Sequence, residues 1–404
     1  MKSSDLQEQT HTETSQPDGV STDESNHGST SLWKDYSWSE EHIYENNNDF
    51  FDALTTNINQ ATSSIILATY IFNFDELGKV IVDHLIAAKK RGVDVRVLFD
   101  GFGSLETGNK VAKKLEDNGV LIKIFHPLPW QAENYHRALF KSFWFGSFLS
   151  YVFKINQRHH AKMCIVDNFK LWCGSQNISL DHLSTERSGK SWHDLGAVVS
   201  GSGVKAIADV FNDMWAKRKP TFGQGIFKYY WNNITTLTRQ RKNKLLAEKL
   251  SKAKERIWIV NPYFSPPRMI VRGIKQAAKN GADVRIIVPA KSDIRFFPLL
   301  TATYYEELLR NNIRIFEYKP TILHKKVSII DDLFLLGSTN YNHRSVIHDV
   351  EFDIVVDTPH ATRVIEKSFL TDQSNSREIT MEIFKQQGTR RMLGWIPRLL
   401  RYWL

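Results

Sequence analysis

Cysteine is scarce in this chain, and no group of cysteines and histidines has the close spacing of a zinc site. The 404 residues contain 2 cysteines, Cys164 and Cys173, which excludes a disulfide-dense secreted domain. Both lie in apolar runs, so we expect small buried side chains in a reducing compartment, with a disulfide between them as the weaker alternative. A zinc site that uses His159 and His160 is the competing chemistry, but we predict no metal and no other cofactor.

Large apolar residues are almost missing from the amino-terminal stretch, and no segment is predicted to cross a membrane. Residues 1–38 are predicted to form a disordered acidic tail without a signal peptide, because Ser, Thr, Gln, Asp and Glu dominate there. The aromatic stretch 138–153 is shorter than the ~20 residues of a bilayer span. We expect it to be an interfacial or re-entrant membrane segment, and a buried core helix is the alternative.

Acidic residues are outnumbered by basic ones. The chain carries 53 Lys and Arg against 44 Asp and Glu, a formal net charge of +9, and the part beyond the acidic tail is more basic still. This balance fits a phosphate-bearing partner, either an anionic membrane or a nucleic acid, although a solvated basic surface is also common. The segment 376–404 ends with arginines interleaved with Trp, Tyr and Leu, which predicts a membrane contact, with packing against the protein body as the rival.

One eight-residue motif occurs twice. Residues 160–167 read His-Ala-Lys-Met-Cys-Ile-Val-Asp, and residues 324–331 read His-Lys-Lys-Val-Ser-Ile-Ile-Asp. The shared positions, which we predict to be catalytic, are His160, Lys162, Asp167, His324, Lys326 and Asp331. Each copy precedes a Gly-Ser-x-Asn, and these supply the predicted substrate-binding residues Ser175, Asn177, Ser338 and Asn340. A single His-x-Lys or Gly-Ser-x-Asn is usually a surface pair or a turn, but the repeated combination indicates a functional site.

Both motifs continue into predicted strands. Residues 163–166 and 327–330 are short, partly β-branched apolar runs bounded by turn residues, which is typical of buried strands. Side chains alternate between the faces of a strand, so His at position i and Lys at i+2 point the same way. If the two copies face each other, one pocket contains two histidines, two lysines and the polar groups of both Gly-Ser-x-Asn turns.

This set of side chains suits a phosphodiester better than a metal ion. Lysine is a cation with three donors and no acceptor, so it repels divalent ions and attracts phosphate oxygens. One neutral histidine can attack phosphorus while the other, protonated, donates to the departing alkoxide and later deprotonates the incoming hydroxyl. Lysines, hydroxyls and amides stabilise charge on the equatorial oxygens. Asp194 and Glu351 follow the first and the second copy, and from this order we expect each to orient the histidine of its own copy.

With these motifs the chain resembles the phospholipase D superfamily. Residues 70–72, 91–104, 261–264 and 281–289 narrow the resemblance to cardiolipin synthases and related bacterial phosphatidyltransferases, in the short form without amino-terminal membrane spans. The likeness extends over roughly residues 45–360. It implies one site between two lobes, with His160 as the nucleophile and His324 as the acid and base. Asp349 departs from the Asn that this family usually has before x-Glu, which bears on substrate contacts rather than on the core chemistry.

The order of predicted elements also repeats. Helix, strand, helix and strand are predicted at 50–61, 64–72, 77–91 and 93–99, and again at 244–254, 257–263, 269–280 and 282–288. We therefore predict an α/β fold of two similar phospholipase D-type lobes, each a mixed β-sheet flanked by helices, with the active site at their interface. The predicted boundaries are 39–218 for the first lobe, 219–243 for a linker and 244–375 for the second lobe.

The predicted function is transfer of a phosphatidyl group from a phospholipid, phosphatidylglycerol in the cardiolipin synthase case, to a second lipid alcohol through a phosphohistidine. We expect phospholipid substrates and an anionic membrane surface as partners, no nucleic acid, and a peripheral position on the cytoplasmic face of the cell membrane. A hydrolytic phospholipase D would use the same residues, and a nuclease of the superfamily would also be basic. A lipid-binding scaffold is the non-enzymatic alternative.

Overall fold

Two β-sheets pack face to face and divide the protein into two lobes. The structure, a computed structural model, describes residues 38–139, 157–184, 191–218, 229–232 and 236–386. Within these residues the first lobe holds a seven-stranded sheet and the second an eight-stranded sheet. This is the predicted α/β architecture of two similar lobes, each a mixed sheet flanked by helices.

The first lobe alternates strands and helices up to its fourth strand and then adds antiparallel strands. Its strands are β1 (Glu40–Tyr44), β2 (Ser64–Thr69), β3 (Asp94–Asp100), β4 (Leu121–Phe125), β5 (Met163–Val166), β6 (Lys170–Gly174) and β7 (Gly196–Ser200). Its helices are α1 (Asn47–Gln60), α2 (Glu76–Lys90), α3 (Gly108–Glu116) and α4 (Gly203–Trp215), with short 3-10 helices at Ala132–Arg137 and Leu180–His182.

The second lobe repeats this order and adds one strand. Its strands are β8 (Tyr229–Asn232), β9 (Arg256–Val260), β10 (Asp283–Pro289), β11 (Arg314–Tyr318), β12 (Val327–Ile330), β13 (Leu333–Gly337), β14 (Glu351–Val356) and β15 (Ser376–Ile379). Its helices are α5 (Thr236–Lys252), α6 (Arg268–Lys279), α7 (Phe297–Ala302), α8 (Tyr305–Leu309), α9 (His343–Ile347), α10 (Pro359–Ser374) and α11 (Met381–Gln386).

The two sheets have matching topologies. The strand order is β1-β7-β6-β5-β2-β3-β4 in the first and β15-β11-β10-β9-β12-β13-β14-β8 in the second. Each sheet contains three parallel strands that helices connect, β2-β3-β4 in the first and β9-β10-β11 in the second. The motif strands β5 and β12 pair antiparallel with β2 and β9. The sequence motifs therefore occupy equivalent central strands, and each histidine precedes the strand at the same sheet edge.

Three large hydrophobic clusters hold these layers together, and a fourth, small one lies around Phe297 in the described residues. The largest lies between the sheets and combines inward-facing residues of both lobes, such as Ile66, Met163, Val260 and Val327, with residues of α4 and α10. The other two large clusters cover the outer faces, one beneath α1–α3 and one beneath α5, α6 and α8. Burial of apolar surface stabilises a protein by about 25 cal/mol per Å², so the shared central cluster holds the two lobes together strongly.

The ends of the helices follow the sequence signals closely. Asp75 precedes α2 and accepts a hydrogen bond from the backbone N–H of Gly78 at 2.9 Å, which caps the helix. Gly92 and Gly281 follow α2 and α6 with the same φ of +95°, a conformation that favours glycine. The predicted strands 163–166 and 327–330 agree with β5 and β12 residue for residue.

The second lobe extends beyond its predicted bounds of 244–375 on both sides. Strand β8 joins its sheet at one edge and β15 at the other, and α5 begins at Thr236 inside the predicted linker. The first half of α5 has no apolar period in its sequence, and side-chain hydrogen bonds attach it to the rest of the second lobe. Arg239 and Asn243 donate to the carbonyl groups of Ile347 and Val346, both at 2.5 Å.

The cysteines are free and buried, as expected of small core side chains. Cys164 faces the outer cluster of the first lobe, whereas Cys173 faces the central cluster. Because the two side chains lie on opposite faces of the sheet, the alternative of a disulfide between them is excluded.

The predicted acidic tail, except Trp38, and most of the predicted membrane contacts lie outside the described residues. These membrane contacts are the aromatic stretch 138–153, except Ala138 and Leu139, and residues 387–404. Ala138 and Leu139 are buried. Among the helices that the structure describes, none combines the length and apolar composition of a membrane span.

The motif aspartates stabilise the fold at a distance from the histidines, which corrects their assignment as catalytic. Asp167 follows β5, at the end of that strand opposite His160, and accepts hydrogen bonds from the backbone N–H groups of Thr62, Ser63 and Ser64 at 2.7–3.2 Å. Asp331 follows β12 and accepts from the N–H groups of residues 254–256. Their φ angles of 54° and 52° place both in the left-handed region, which aspartate tolerates.

We expect Asp167→Ala to destabilise the protein by about 1–3 kcal/mol, because three backbone donors lose a charged acceptor and alanine strains the left-handed backbone. Asp167→Asn should cost less, since asparagine accepts that backbone conformation and keeps an acceptor oxygen. Urea unfolding of the two variants and the wild type measures the difference. Unchanged stability with lost turnover would return the aspartates to the catalytic group.

Candidate active site between the two lobes

A cavity of about 260 Å³ opens where the two lobes meet. It is lined by both motif histidines, by both Gly-Ser-x-Asn asparagines and by aromatic residues of both lobes, namely Tyr70, Trp192 and Tyr263. The predicted convergence of the two copies on one pocket therefore takes place in the structure.

Each histidine is paired with the carboxylate of the other lobe. Nδ1 of His160 donates to Oε2 of Glu351 at 2.9 Å, and Nδ1 of His324 donates to Oδ1 of Asp194 at 2.7 Å. The expectation from sequence order, which pairs each acid with the histidine of its own copy, is wrong. Both carboxylates are fully buried, and both bonds leave Nε2 of the ring as the nitrogen that exchanges protons or attacks a substrate.

Short backbone bridges across the lobe interface impose this crossing. The backbone N–H of His160 donates to the carbonyl group of Val350 at 2.8 Å, which places it beside Glu351. The N–H of His324 donates to the carbonyl group of His193, also at 2.8 Å, which places it beside Asp194. The backbone of each histidine thus pairs with a strand-like segment of the opposite lobe. The acidic residue that directly follows the pairing residue then contacts the histidine ring.

The two serines of the Gly-Ser-x-Asn turns bind the carboxylates. The Ser175 hydroxyl donates to Oδ1 of Asp194 at 2.6 Å, and the Ser338 hydroxyl donates to Oε2 of Glu351 at 2.5 Å. Both serines are fully buried and absent from the cavity wall. Their assignment as substrate-binding residues is therefore corrected: they position the acids that orient the histidines.

The two asparagines do reach the cavity. The side-chain oxygen of Asn177 accepts from the backbone N–H of Ile71 at 3.2 Å, which leaves its amide N–H groups for a ligand. The side-chain oxygen of Asn340 is buried and has no hydrogen-bond partner among the described residues. A buried amide without a partner is costly, so a bound ligand that pairs with Asn340 gains that free energy back.

The motif lysines lie behind the histidines. Nζ of Lys162 donates to the carbonyl oxygen of His160 at 2.7 Å, and Nζ of Lys326 donates to that of His324 at 2.6 Å. Each ammonium group also lies over an aromatic ring that lines the cavity, 5.5 Å from the Tyr70 centroid and 5.9 Å from the Tyr263 centroid. Neither lysine belongs to the cavity wall itself, so each acts on the site through its charge and its remaining donors.

Burial and the lysine charges set the protonation of the histidines. Burial, helped by Lys162 and Lys326, holds the pKa of His160 well below its ordinary value. Burial and Lys326 lower the pKa of His324 to about 3, although Asp194 acts in the opposite direction. The lysines respond alike, because burial lowers the pKa of Lys162 to about 7 and that of Lys326 to about 8. Four groups that can carry positive charge thus share a buried site in which desolvation favours their neutral forms.

The two carboxylates differ in their electrostatic state. Burial raises the pKa of Glu351 to about 7, against the opposing effect of Lys162 and Ser338. Burial also acts to raise that of Asp194, but the electrostatic and hydrogen-bond interactions with His182 and His324 outweigh it, so the pKa of Asp194 stays well below the ordinary value. Asp194 is therefore the stronger fixed anion of the two.

One group of side chains has a composition that suits a metal ion. Within the described residues, His182, Asp194 and His324 bring their nitrogen and oxygen atoms within 4.8 Å of one another. Both imidazoles, however, donate Nδ1–H to Asp194, at 2.6 and 2.7 Å. The Nδ1 protons occupy the positions through which the rings would bind a metal ion, and the positive charge of Lys326 lies close by. We interpret the group as a hydrogen-bonded relay rather than a set of metal ligands.

Several residues of the site escaped the sequence analysis. Tyr70 and Tyr263 follow the equivalent strands β2 and β9, a repeat that the sequence contains but that only the fold relates to the histidines. Arg344, which the sequence analysis did not single out, also lines the cavity and forms an ion pair at 3.2 Å with Asp349, which it did. His182 corresponds to Ser345 in the second copy, and because the residue types differ the repeat could not reveal it.

A sequence profile described as "Cardiolipin synthase, PLD-like domain" matches residues 54–215 and 246–373. Cardiolipin synthase 2 of Bacillus anthracis is 29% identical over 371 residues, which is 88% of this chain and 69% of that protein. Cardiolipin synthase of Listeria monocytogenes is 27% identical over 362 residues, 86% of this chain and 71% of that protein.

Solved structures share the fold at low sequence identity. The crystal structure of phosphatidylserine synthase from Haemophilus influenzae superposes with a TM-score of 0.69 at 14% identity, over 91% of this chain and 96% of that chain. Polyphosphate kinase from Porphyromonas gingivalis superposes with a TM-score of 0.59 at 12% identity, over 85% of this chain and 49% of that chain. At these identities the likeness concerns the fold alone.

The buried charge of Glu351 should cost stability at neutral pH. The folded protein holds the Glu351 proton up to a pKa of about 7, above the ordinary value of 4.5, so stability falls as pH rises between these values. We expect Glu351→Gln to raise the free energy of unfolding at pH 8 by on the order of 2 kcal/mol relative to wild type, and by much less at pH 4.5. Urea unfolding at the two pH values measures this, and an equal difference at both would contradict it.

Proposed function

The chain belongs to the cardiolipin synthase-type, phospholipase D-like family and is an enzyme of the phospholipase D superfamily, and from this premise we propose how its site works. It is a phosphatidyltransferase, and the proposed reaction moves a phosphatidyl group from a phospholipid to a second lipid alcohol through a phosphohistidine. Phosphatidylglycerol is the proposed donor and acceptor, with cardiolipin as the product. The observation that carries the proposal is the pair of histidines on one cavity, each oriented by a buried carboxylate of the opposite lobe.

In the first step His160 acts as the nucleophile. With its Nδ1 proton held by Glu351, the lone pair of Nε2 attacks phosphorus, a P–N bond forms and the bond to the leaving glycerol oxygen breaks. His324 gives its Nε2 proton to that oxygen, so glycerol departs as a neutral alcohol. Asp194 supports the positive charge of His324 before this transfer.

In the second step the same groups act in reverse. The hydroxyl group of the acceptor lipid gives its proton to Nε2 of His324 while its oxygen attacks phosphorus. The P–N bond breaks and His160 is regenerated as a neutral imidazole. Atoms and charges balance over the two steps, and no other group is needed to accept or supply a proton.

The charge balance of the cavity supports an anionic substrate. Burial lowers the pKa values of Lys162, Lys326, His160 and His324 together, because desolvation disfavours their charged forms. A phosphodiester supplies one negative charge and raises all four pKa values on binding. The protonated state that His324 needs therefore forms together with the substrate complex.

We also propose that the mouth of the cavity docks on an anionic phospholipid bilayer, with the protein peripheral on the cytoplasmic face of the membrane. In the first lobe the loops after β3 and β4 carry Phe102, Leu105 and Trp130, which are 49%, 40% and 69% exposed. These loops adjoin the site. Gly103 lies so close to Tyr70 that an added Cβ would be 2.9 Å from the tyrosine ring, and the Phe102 ring lies 5.4 Å from the guanidinium group of Arg158.

The equivalent loop of the second lobe, after β10, adds positive charge. Lys291 and Arg295 are exposed, and no ion pair engages them among the described residues, while Ile294 between them lines the cavity. Apolar side chains beside unpaired cations fit the headgroup boundary of an anionic bilayer. A lipid could then reach the histidines without leaving the membrane surface.

Mutation of either histidine tests the reaction. On vesicles of phosphatidylglycerol, with and without phosphatidylethanolamine, we expect the wild type to form cardiolipin and His160→Ala and His324→Ala to be slower by at least about 10³-fold. His360→Ala, an exposed histidine on α10, is the matched control and should retain full activity. Phosphatidic acid as the sole product would make the enzyme a hydrolase, and DNA cleavage without lipid turnover would make it a nuclease.

The docking surface is tested by removing its apolar side chains. We expect Phe102→Ser combined with Trp130→Ser to weaken binding to phosphatidylglycerol vesicles by about 10- to 100-fold, because two large apolar side chains no longer enter the bilayer. Phe169→Ser is the control, since Phe169 is 50% exposed at the opposite end of the sheet. Co-sedimentation with vesicles measures binding, and an unaffected double variant would show that another surface meets the membrane.

A further inference from the structure

His182 is a buried histidine beside the reaction site, and the equivalent position of the second half, five residues after the Gly-Ser-x-Asn asparagine, is Ser345. It ends the 3-10 helix Leu180–His182 and is 1% exposed. Its ring lies 5.3 Å from the His324 ring and 4.9 Å from the Trp192 ring, between centroids. The steps described above do not use it.

Both ring nitrogens of His182 are engaged, and their bonds define its tautomer. Nε2 accepts from the backbone N–H of Asn177 at 3.2 Å, so the ring proton is on Nδ1. Nδ1 donates to Oδ2 of Asp194 at 2.6 Å. The His182 carbonyl oxygen accepts from the Asn47 side chain, also at 2.6 Å, which fixes the backbone behind the ring. A neutral histidine in this state is a donor aimed at Asp194.

This donor makes the two histidine–carboxylate pairs unequal. Asp194 accepts from Ser175, from His324 and from His182, and thus uses both of its oxygens. Glu351 accepts from Ser338 and His160 on Oε2, and its third donor is the Ser345 hydroxyl rather than an imidazole. The interactions with His182 and His324 hold the pKa of Asp194 well below the ordinary value, whereas burial raises that of Glu351 to about 7.

We propose that His182 is a positioning residue that holds Asp194 as a carboxylate against Nδ1 of His324, and thereby makes His324 the histidine that carries the mobile proton. The proposal rests on the proposed phosphatidyl transfer and adds to it the reason for the division of roles. His160, whose partner Glu351 has the Ser345 hydroxyl in place of a supporting imidazole, is left as the neutral nucleophile. His182 touches neither substrate nor phosphorus and acts through Asp194 alone.

Other charged groups face the same relay and must be considered with it. Among the charged side chains, Lys326 has the largest effect on His324 and lowers its pKa. Four carboxylates raise the pKa of Lys326 itself, namely Asp194, Glu351, Asp293 and Asp353. The Tyr263 ring lies 6.2 Å from that of His324. None of these groups donates a hydrogen bond to Oδ2 of Asp194, so substitution of His182 isolates the contact in question.

Two amide substitutions separate the two bonds of His182. Asparagine places its amide nitrogen where Nδ1 lies, so His182→Asn keeps a donor to Asp194 and loses the bond to Asn177. Glutamine reaches the position of Nε2, so His182→Gln keeps an acceptor for Asn177 and loses the donor to Asp194. The two variants remove the same ring and differ in the contact that the proposal needs.

The leaving group distinguishes a positioning role from a merely structural one. Glycerol must be protonated as it departs, whereas p-nitrophenolate leaves without a general acid. The experiment compares phosphatidylglycerol with phosphatidyl-p-nitrophenol in the same vesicles and measures the first turnover of full-length wild type, His182→Asn and His182→Gln. We expect His182→Gln to be slower by about 10- to 100-fold on phosphatidylglycerol and within about threefold of wild type on the nitrophenyl ester.

His182→Asn should remain within about threefold of wild type on both substrates, because Asp194 keeps its donor. Equal losses of His182→Gln on both substrates, or no loss on either, would overturn the proposal. If His182→Gln does not fold, Asp194→Asn must show the same dependence on the leaving group, and equal losses there would overturn it as well. A wild type that turns over neither lipid would instead refute the proposed transfer itself, which separates the two failures.

Discussion

The crossed hydrogen bonds between His160 and Glu351 and between His324 and Asp194 are the constraint on which the rest of the structure depends. Each bond joins the two lobes, and each needs a backbone bridge at its own end of the interface. Bonds of this kind are strong only where water is excluded. The central apolar cluster supplies that exclusion, and the matching sheet topologies bring the two bridges to the same cavity.

Burial of so many ionisable groups is unfavourable for the free protein. Two lysines, two histidines and a glutamic acid all have pKa values displaced by desolvation toward their neutral forms. Lysines and histidines held this way cost stability until a ligand of opposite charge enters, whereas an anionic ligand does not relieve the cost of burying Glu351. The site thus exchanges folding free energy for affinity toward an anion, which is the pattern expected where binding energy drives catalysis.

The sequence predicts the repeated parts of this protein well and the unrepeated parts poorly. Strands β5 and β12, the motif histidines and the asparagines Asn177 and Asn340 follow from a pattern that occurs twice. Asp167 and the serines share that pattern, yet they serve the backbone and the carboxylates, because sequence spacing does not report which atom a side chain meets. The crossing of the acids depends on contacts over more than 100 positions, and His182 occurs once, so neither could be read from spacing.

The backbone bridges at His160 and His324 have a consequence for how the two halves of the chain depend on each other. Each half of the chain provides a histidine that contacts an acidic residue of the other half. A symmetric dimer has contacts of this form, because the contact from residue i to residue j is repeated from j to i. The interface therefore has the form of an association between two copies of one unit within a single polypeptide. In such an arrangement a change in either half acts first on the histidine of the other half, and the imidazole of His182 beside Asp194 is one place where the halves differ.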